Sequence, residues 1–221
     1  MHLTILNGSP RGKSSNTKIL FDQFLKGFVT IPGHKHTEVF LKTEKDSEKL
    51  VKIFLDAEYL ILGFPLYTDA MPGLVKAFIE LIGKYKGENP GLKMGFVVQS
   101  GFPEAYHSTF IARYLEKLTK RLGCYYLGTV IRGGQEGIKI QPAWMTRKTF
   151  SMFTELGQKF AQTGEYDKEI IDKLARPMHL SGSRLFFYKL MGKIGITNFY
   201  WDDQLKENKA FDQRFARPYT N

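Results

Sequence analysis

Cysteine is almost missing: Cys124 is the only one in 221 residues. A lone thiol cannot build a disulfide framework, and it cannot supply the cysteines of an iron–sulfur cluster or a structural zinc site. Long apolar runs are missing too. The densest, Tyr59 to Tyr67, is about half of the ~20 residues that a membrane-spanning helix needs. The start, Met1-His2-Leu3-Thr4-Ile5, has no basic region leading into an apolar stretch and a small-residue cleavage site. The expectation is therefore a cytoplasmic protein. Blocks of one charge are absent as well. Lys and Arg outnumber Asp and Glu by 32 to 22, a formal net charge of +10, which favours an anionic ligand. The cations are scattered, however, and no nucleic-acid-binding motif appears, so nucleic acid is not an expected partner. His34-x-His36 has no third ligand in view, and no metal site is expected.

What the chain does have is a regular alternation. Strand patterns fall at Leu3–Leu6, Thr37–Leu41, Tyr59–Gly63, Lys93–Gln99 and Tyr126–Arg132, and helical patterns at 15–28, 46–56, 73–85, 105–122 and 144–162. In the fourth helical pattern Phe110, Ile111, Tyr114, Leu115, Leu118 and Leu122 recur at three- and four-residue steps, and Gly123 follows as a stop. Pro72-Gly73 opens the third, whose Leu74, Phe78 and Ile82 share a face. Five strands with crossover helices predict an α/β fold: a doubly wound parallel sheet covered on both sides, in one main domain. The alternation ends between Arg176-Pro177 and Ser183. This divides the chain into a domain over 1–180 and an extension over 181–221. Sheets of this kind bind ligands beyond the carboxyl ends of their strands, which directs attention to the loops after the first, third and fourth strands.

The first of these lies in Ile-Leu-Asn-Gly-Ser-Pro-Arg-Gly-Lys-Ser-Ser-Asn-Thr, residues 5–17. A nucleotide-hydrolysing phosphate loop needs four residues between its glycine and the Gly-Lys-Ser/Thr triplet. Here three separate Gly8 from Gly12, and the third strand ends without the acidic residue that would hold a metal. That argues against an ATPase or kinase and leaves two main readings. One is an anion site, with hydroxyls from Ser9, Ser14, Ser15 and Thr17, the Asn16 amide and the Arg11 guanidinium set at a helix N-terminus. The other is a Ser/Asn-rich turn with an ordinary helix cap.

Gly8-Ser9-Pro10-Arg11 followed by Ser15-Asn16-Thr17 resembles the phosphate loop of the flavodoxin-like NAD(P)H-dependent FMN reductase family. A second stretch, Phe64-Pro65-Leu66-Tyr67-Thr68-Asp69-Ala70-Met71-Pro72-Gly73-Leu74-Val75-Lys76-Ala77-Phe78-Ile79-Glu80, is similar to that family's second motif. The likeness covers roughly residues 1–165. It implies the strand order 2-1-3-4-5 and a bound FMN. Ser9, Arg11, Ser15, Asn16 and Thr17 would hold the phosphate, and Pro65, Leu66, Tyr67 and Thr68 would lie along the isoalloxazine ring. Gln99, Ser100, Gly101 and Phe102 would contact the ring from the fourth strand's loop. A flat apolar ring wants an apolar wall and stiff backbone at its polar edge; the alternative for Tyr67 is packing on the next helix. The resemblance further implies a homodimer, and hydride transfer from NADH or NADPH through FMN to a flat small-molecule acceptor such as a quinone or flavin. That chemistry requires no acid, base or nucleophile from the protein, so no catalytic residue is named.

Rival readings are a non-enzymatic flavodoxin-like electron carrier and a flavin-sensing interaction module; an iron–sulfur flavoprotein is excluded by the single cysteine. The extension combines Arg184, Lys189 and Lys193 with Leu185, Phe186, Phe187, Tyr188, Leu190, Met191, Ile194 and Ile196. Packing on its own domain or a dimer mate is the expectation for it, ahead of contact with an anionic membrane surface or a cover over a partner subunit's flavin site.

Overall fold

The computed structural model describes residues 1–193 and 198–217. Ile194 and Ile196 of the basic aromatic segment, and residues 218–221, lie outside the described residues. The chain divides into two compact units, Met1–His179 and Leu180–Asn221.

In the first unit the apolar runs form five strands: β1 (His2–Asn7), β2 (Lys35–Phe40), β3 (Tyr59–Pro65), β4 (Lys93–Gln99) and β5 (Tyr125–Arg132). All four pairings are parallel, in the order β2-β1-β3-β4-β5, as expected. Side chains alternate between the two faces. Leu3, Ile5, Tyr59 and Ile61 join one core; Leu6, Leu60, Leu62 and Phe64 join the other. β3 is central and buried along its whole length, which explains its nearly unbroken apolar sequence. β2 lies at the edge and exposes Lys35, His36 and Thr37, polar residues that discourage pairing with another chain.

Six helices complete the unit: α1 (Asn16–Phe28), α2 (Ser47–Asp56), α3 (Gly73–Ile82), α4 (Thr109–Leu122), α5 (Ala143–Thr163) and α6 (Lys168–Leu174). α1 and α5 contribute Phe21, Phe24, Phe28, Phe153, Leu156 and Phe160 to the first core. α2, α3 and α4 contribute Phe54, Val75, Phe78, Ile82, Ile111 and Leu115 to the second. The α1–α5 crossing is close because two glycines make it so. A Cβ on Gly27 would fall 1.8 Å from the Thr154 carbonyl oxygen, and one on Gly157 1.9 Å from that of Phe24. Side-chain caps start three helices: Ser15 accepts from the Lys18 N–H, Asp46 from Lys49 and Asp167 from Ile170. Gly123, left-handed at φ 79°, ends α4.

Two expectations change. The alternation left out α6, a seven-residue helix whose Ile170 and Leu174 are buried. Phe110 and Tyr114 do not share the buried stripe of Ile111 and Leu115; both face solvent. One residue of helix is about 100° of rotation, enough to carry them off a stripe that itself spans about 100°.

The second unit holds α7 (Gly182–Lys193), α8 (Phe199–Glu207) and a short turn at Phe211–Gln213. Arg214 sits 3.9 Å from the Phe211 ring centroid and 4.8 Å from that of Phe215, a cation–π arrangement. No helix among the described residues is long and apolar enough to cross a membrane.

Candidate functional site

The carboxyl ends of β1, β3 and β4 lie side by side: Asn7 pairs with Gly63, and Pro65 pairs with Gln99. The loops after them are therefore neighbours, joined by main-chain hydrogen bonds. The Gly8 N–H donates to the Gly63 carbonyl at 2.7 Å, and the Leu66 N–H to that of Gln99 at 2.7 Å.

The first loop is organised by Asn7, which is fully buried. Its Oδ1 accepts from the Ser9 N–H at 3.0 Å, and its Nδ2 donates to Ser15 Oγ at 3.3 Å. Gly12, at φ 57°, opens a single 3-10 turn over Gly12–Ser14. Ser15 then caps α1, taking the Lys18 N–H at 3.1 Å. The N–H groups of Asn16 and Thr17 come one turn too early for an intrahelical partner. They sit at the positive end of the helix dipole, so the position suits an anion. Ser9, Ser15, Asn16 and Thr17 are all buried, while Arg11 is exposed. Thr17 Oγ1 is buried with no hydrogen-bond partner, a loss of about 1–3 kcal/mol when nothing satisfies it. The Asn16 amide is not wholly available: its Nδ2 donates to the Gln135 carbonyl oxygen at 2.9 Å.

The second loop turns tightly. Tyr67 and Ala70 exchange N–H···O bonds of 3.0 and 3.1 Å, with Thr68 held left-handed at φ 56°. Leu66 is buried and Tyr67 is 45% exposed. In the third loop Gln99 and Ser100 are buried and Phe102 is 45% exposed. The Phe102 ring lies on His107, centroids 4.6 Å apart and planes 31° from parallel. His107 reaches both loops, with Nδ1 3.8 Å from Asp69 Oδ1 and Nε2 3.8 Å from Glu104 Oε2. Two half-exposed aromatics thus stand on the loops after β3 and β4, beside the turn after β1.

Three residues bonded to the first loop or the start of α1 carry no motif in the sequence: Asn7, Gln135 and Lys139. Asn7 gave a signal, a polar residue closing an apolar strand. Gln135 and Lys139 gave none, because they meet the first loop only through the fold. Gly133-Gly134 packs against the third loop: the Gly134 N–H donates to the Phe102 carbonyl at 2.7 Å.

Among the described residues no cluster of His, Cys, Asp or Glu could hold a metal. Cys124 is buried, and burial pushes its thiol up to about 11. At neutral pH it is a protonated packing group and not a nucleophile.

The sequence profile described as the flavodoxin-like fold matches residues 1–149. Among solved structures the fold is similar to an FMN-dependent NADH-azoreductase from Bacillus anthracis in complex with FMN. Identity is 15%, with a TM-score of 0.56 over 73% of this chain and 100% of that one. It is similar also to an NADPH-quinone reductase from P. pentosaceus: 19% identity, 74% and 99% coverage, TM-score 0.55. An NADH:FMN oxidoreductase in its apo form gives 14% identity, 80% and 96% coverage, and a TM-score of 0.56. At such identities the likeness is one of fold. Among curated proteins, none matches by sequence.

Proposed function

The chain belongs to the flavodoxin-like fold family, and from that premise we propose that it is an FMN-dependent NAD(P)H oxidoreductase. It would take hydride from a reduced nicotinamide and pass electrons to a flat small-molecule acceptor such as a quinone or flavin. The observation that carries this reading is the junction of three loops at the carboxyl edge of the sheet. One ends in a helix N-terminus with open amides and the unpartnered Thr17 hydroxyl; the other two carry half-exposed Tyr67 and Phe102. A hydroxyl buried without a partner beside such a turn fits an oxygen-rich anionic group.

In this reading the N–H groups of Asn16 and Thr17, the Ser9 and Thr17 hydroxyls and Arg11 hold the phosphate. Ser15 acts through the helix, capping it and leaving the two amides before its bond open. Pro65, Leu66, Tyr67 and Thr68 line the ring on one side, and Gln99, Ser100, Gly101 and Phe102 on the other. FMN bound there supplies the redox chemistry. The protein's part is to orient flat rings and to present main-chain dipoles to the ring's polar edge. The basic surface, at a net charge of +10, favours a phosphorylated nicotinamide as donor.

Purified protein is expected to be yellow or to become so with FMN, to melt at a higher temperature with FMN than without, and to oxidise NADPH or NADH when a quinone is added. Protein that stays colourless, shows no FMN-dependent rise in melting temperature and leaves the nicotinamide untouched would sink this reading. A yellow protein without turnover would favour an electron carrier.

A further inference from the structure

The stretch between β5 and α5, residues 133–142, touches both ends of the site. Toward the first loop it makes three contacts. The Gln135 carbonyl oxygen accepts from Asn16 Nδ2 at 2.9 Å, both residues being buried. Lys139 Nζ donates to the Ser14 carbonyl oxygen. Glu136 Oε1 lies 3.6 Å from Arg11 Nη2. Toward the third loop, the Gln135 N–H donates to the Ser100 carbonyl at 2.8 Å and the Gly134 N–H to that of Phe102 at 2.7 Å. The fit is close: a Cβ on Gly133 would fall 2.5 Å from the Phe102 carbonyl oxygen.

We propose that this stretch is a clamp for the phosphate-binding turn, with Lys139 as the residue that positions the turn for a ligand's terminal phosphate and so selects FMN over the same ring without phosphate. The proposal rests on the flavin reading above and goes beyond it, since none of the loops that the family resemblance implies contains Lys139. The physical need lies in the turn itself. Gly12–Ser14 is a single 3-10 turn, and one turn of helix does not hold itself in water. The Asn16 and Thr17 amides that follow it can be aimed at an anion only if something holds its carbonyl end. Lys139 does so at Ser14, the last residue of the turn, and brings a positive charge to a loop that must meet a dianion. Glu136, also bonded into its surroundings, restrains the exposed Arg11 side chain beside it, which reduces the ordering cost when phosphate arrives. Gln135 ties the start of α1 to the third loop, so the phosphate end and the ring end move as one.

The test compares two ligands that share a ring. FMN and riboflavin are titrated into wild-type protein, Lys139→Met and Lys139→Arg, read by quenching of flavin fluorescence, and the melting temperature of each ligand-free protein is measured. Lys139 lies on the surface, so its variants should fold. Lys139→Met is expected to raise the dissociation constant for FMN about tenfold, the size of one charged hydrogen bond. It should leave that for riboflavin within about twofold and the ligand-free melting temperature unchanged. Lys139→Arg, which keeps charge and donor, should restore most of the FMN affinity. FMN affinity unchanged in Lys139→Met, or FMN and riboflavin weakened alike, would overturn the clamp while the flavin reading stands. Wild-type protein that binds neither ligand would remove the flavin reading, and the clamp with it.

Discussion

Phenylalanine is mostly buried in the first unit of this molecule, Phe102 and Phe110 being exposed exceptions, and mostly exposed among the described residues of the second. In the first, Phe21, Phe24, Phe28, Phe54, Phe64, Phe96, Phe153 and Phe160 are all essentially fully buried. In the second, Phe186 is 70% and Phe215 82% exposed. Residue type is the same, so spacing must account for the difference. On α1, Leu20, Phe21, Phe24, Leu25 and Phe28 recur at three and four residues and are buried together. On α7, Leu185, Phe186, Phe187 and Tyr188 are consecutive, and all four are exposed. At about 100° per residue, four neighbours spread around the whole helix, and one supporting surface cannot cover them. Aromatic content makes a core only when periodicity collects it on one side.

Three variants sharpen or break this contrast. Phe160 is fully buried, with ring centroids 5.6 Å from Phe24, Tyr59 and Tyr166. Phe160→Ala should cost about 3–5 kcal/mol of unfolding free energy in denaturant titration. A loss below about 1 kcal/mol would mean that this side of the sheet is far less closely packed than its burial indicates. Next comes Gly157→Ala, which sets a methyl against the Phe24 carbonyl at 1.9 Å and must push α1 and α5 apart. The expected cost is about 2–3 kcal/mol, toward the upper end for overpacking, measured in the same titration. Smallest is the double change Phe186→Ser with Phe187→Ser. Both rings are exposed, and the unfolding free energy should stay within about 0.5 kcal/mol of wild type. A loss of more than about 2 kcal/mol would show that these rings are covered in solution, and the contrast between the units would fall.

The architecture was readable to a large degree. Short apolar runs with helical patterns between them mark all five strands and five of the helices, because periodicity and caps are local properties. Gly123 stops α4 at φ 79°, and Pro72-Gly73 opens α3, as the residues suggest. α6 was missed because seven residues carry too little pattern beside the long α5. Phe110 and Tyr114 were misread because a three-and-four spacing does not say which of two adjacent stripes the sheet will cover.

The candidate site was half readable. Gly8-Ser9-Pro10-Arg11 and Ser15-Asn16-Thr17 stand out in the sequence, and the structure makes Ser15 the cap of the helix that follows. What the sequence determined alone is the set of local objects: which segments extend, which coil, and which turn ends in hydroxyls and amides. Only the tertiary structure decided that Asn16 meets Gln135 from 119 positions away, that Lys139 reaches Ser14, and that Gly27 and Gly157 let two helices touch. Local periodicity depends on bonded neighbours and is written into the chain; these contacts depend on strand order and helix crossing, which exist only once the sheet has assembled.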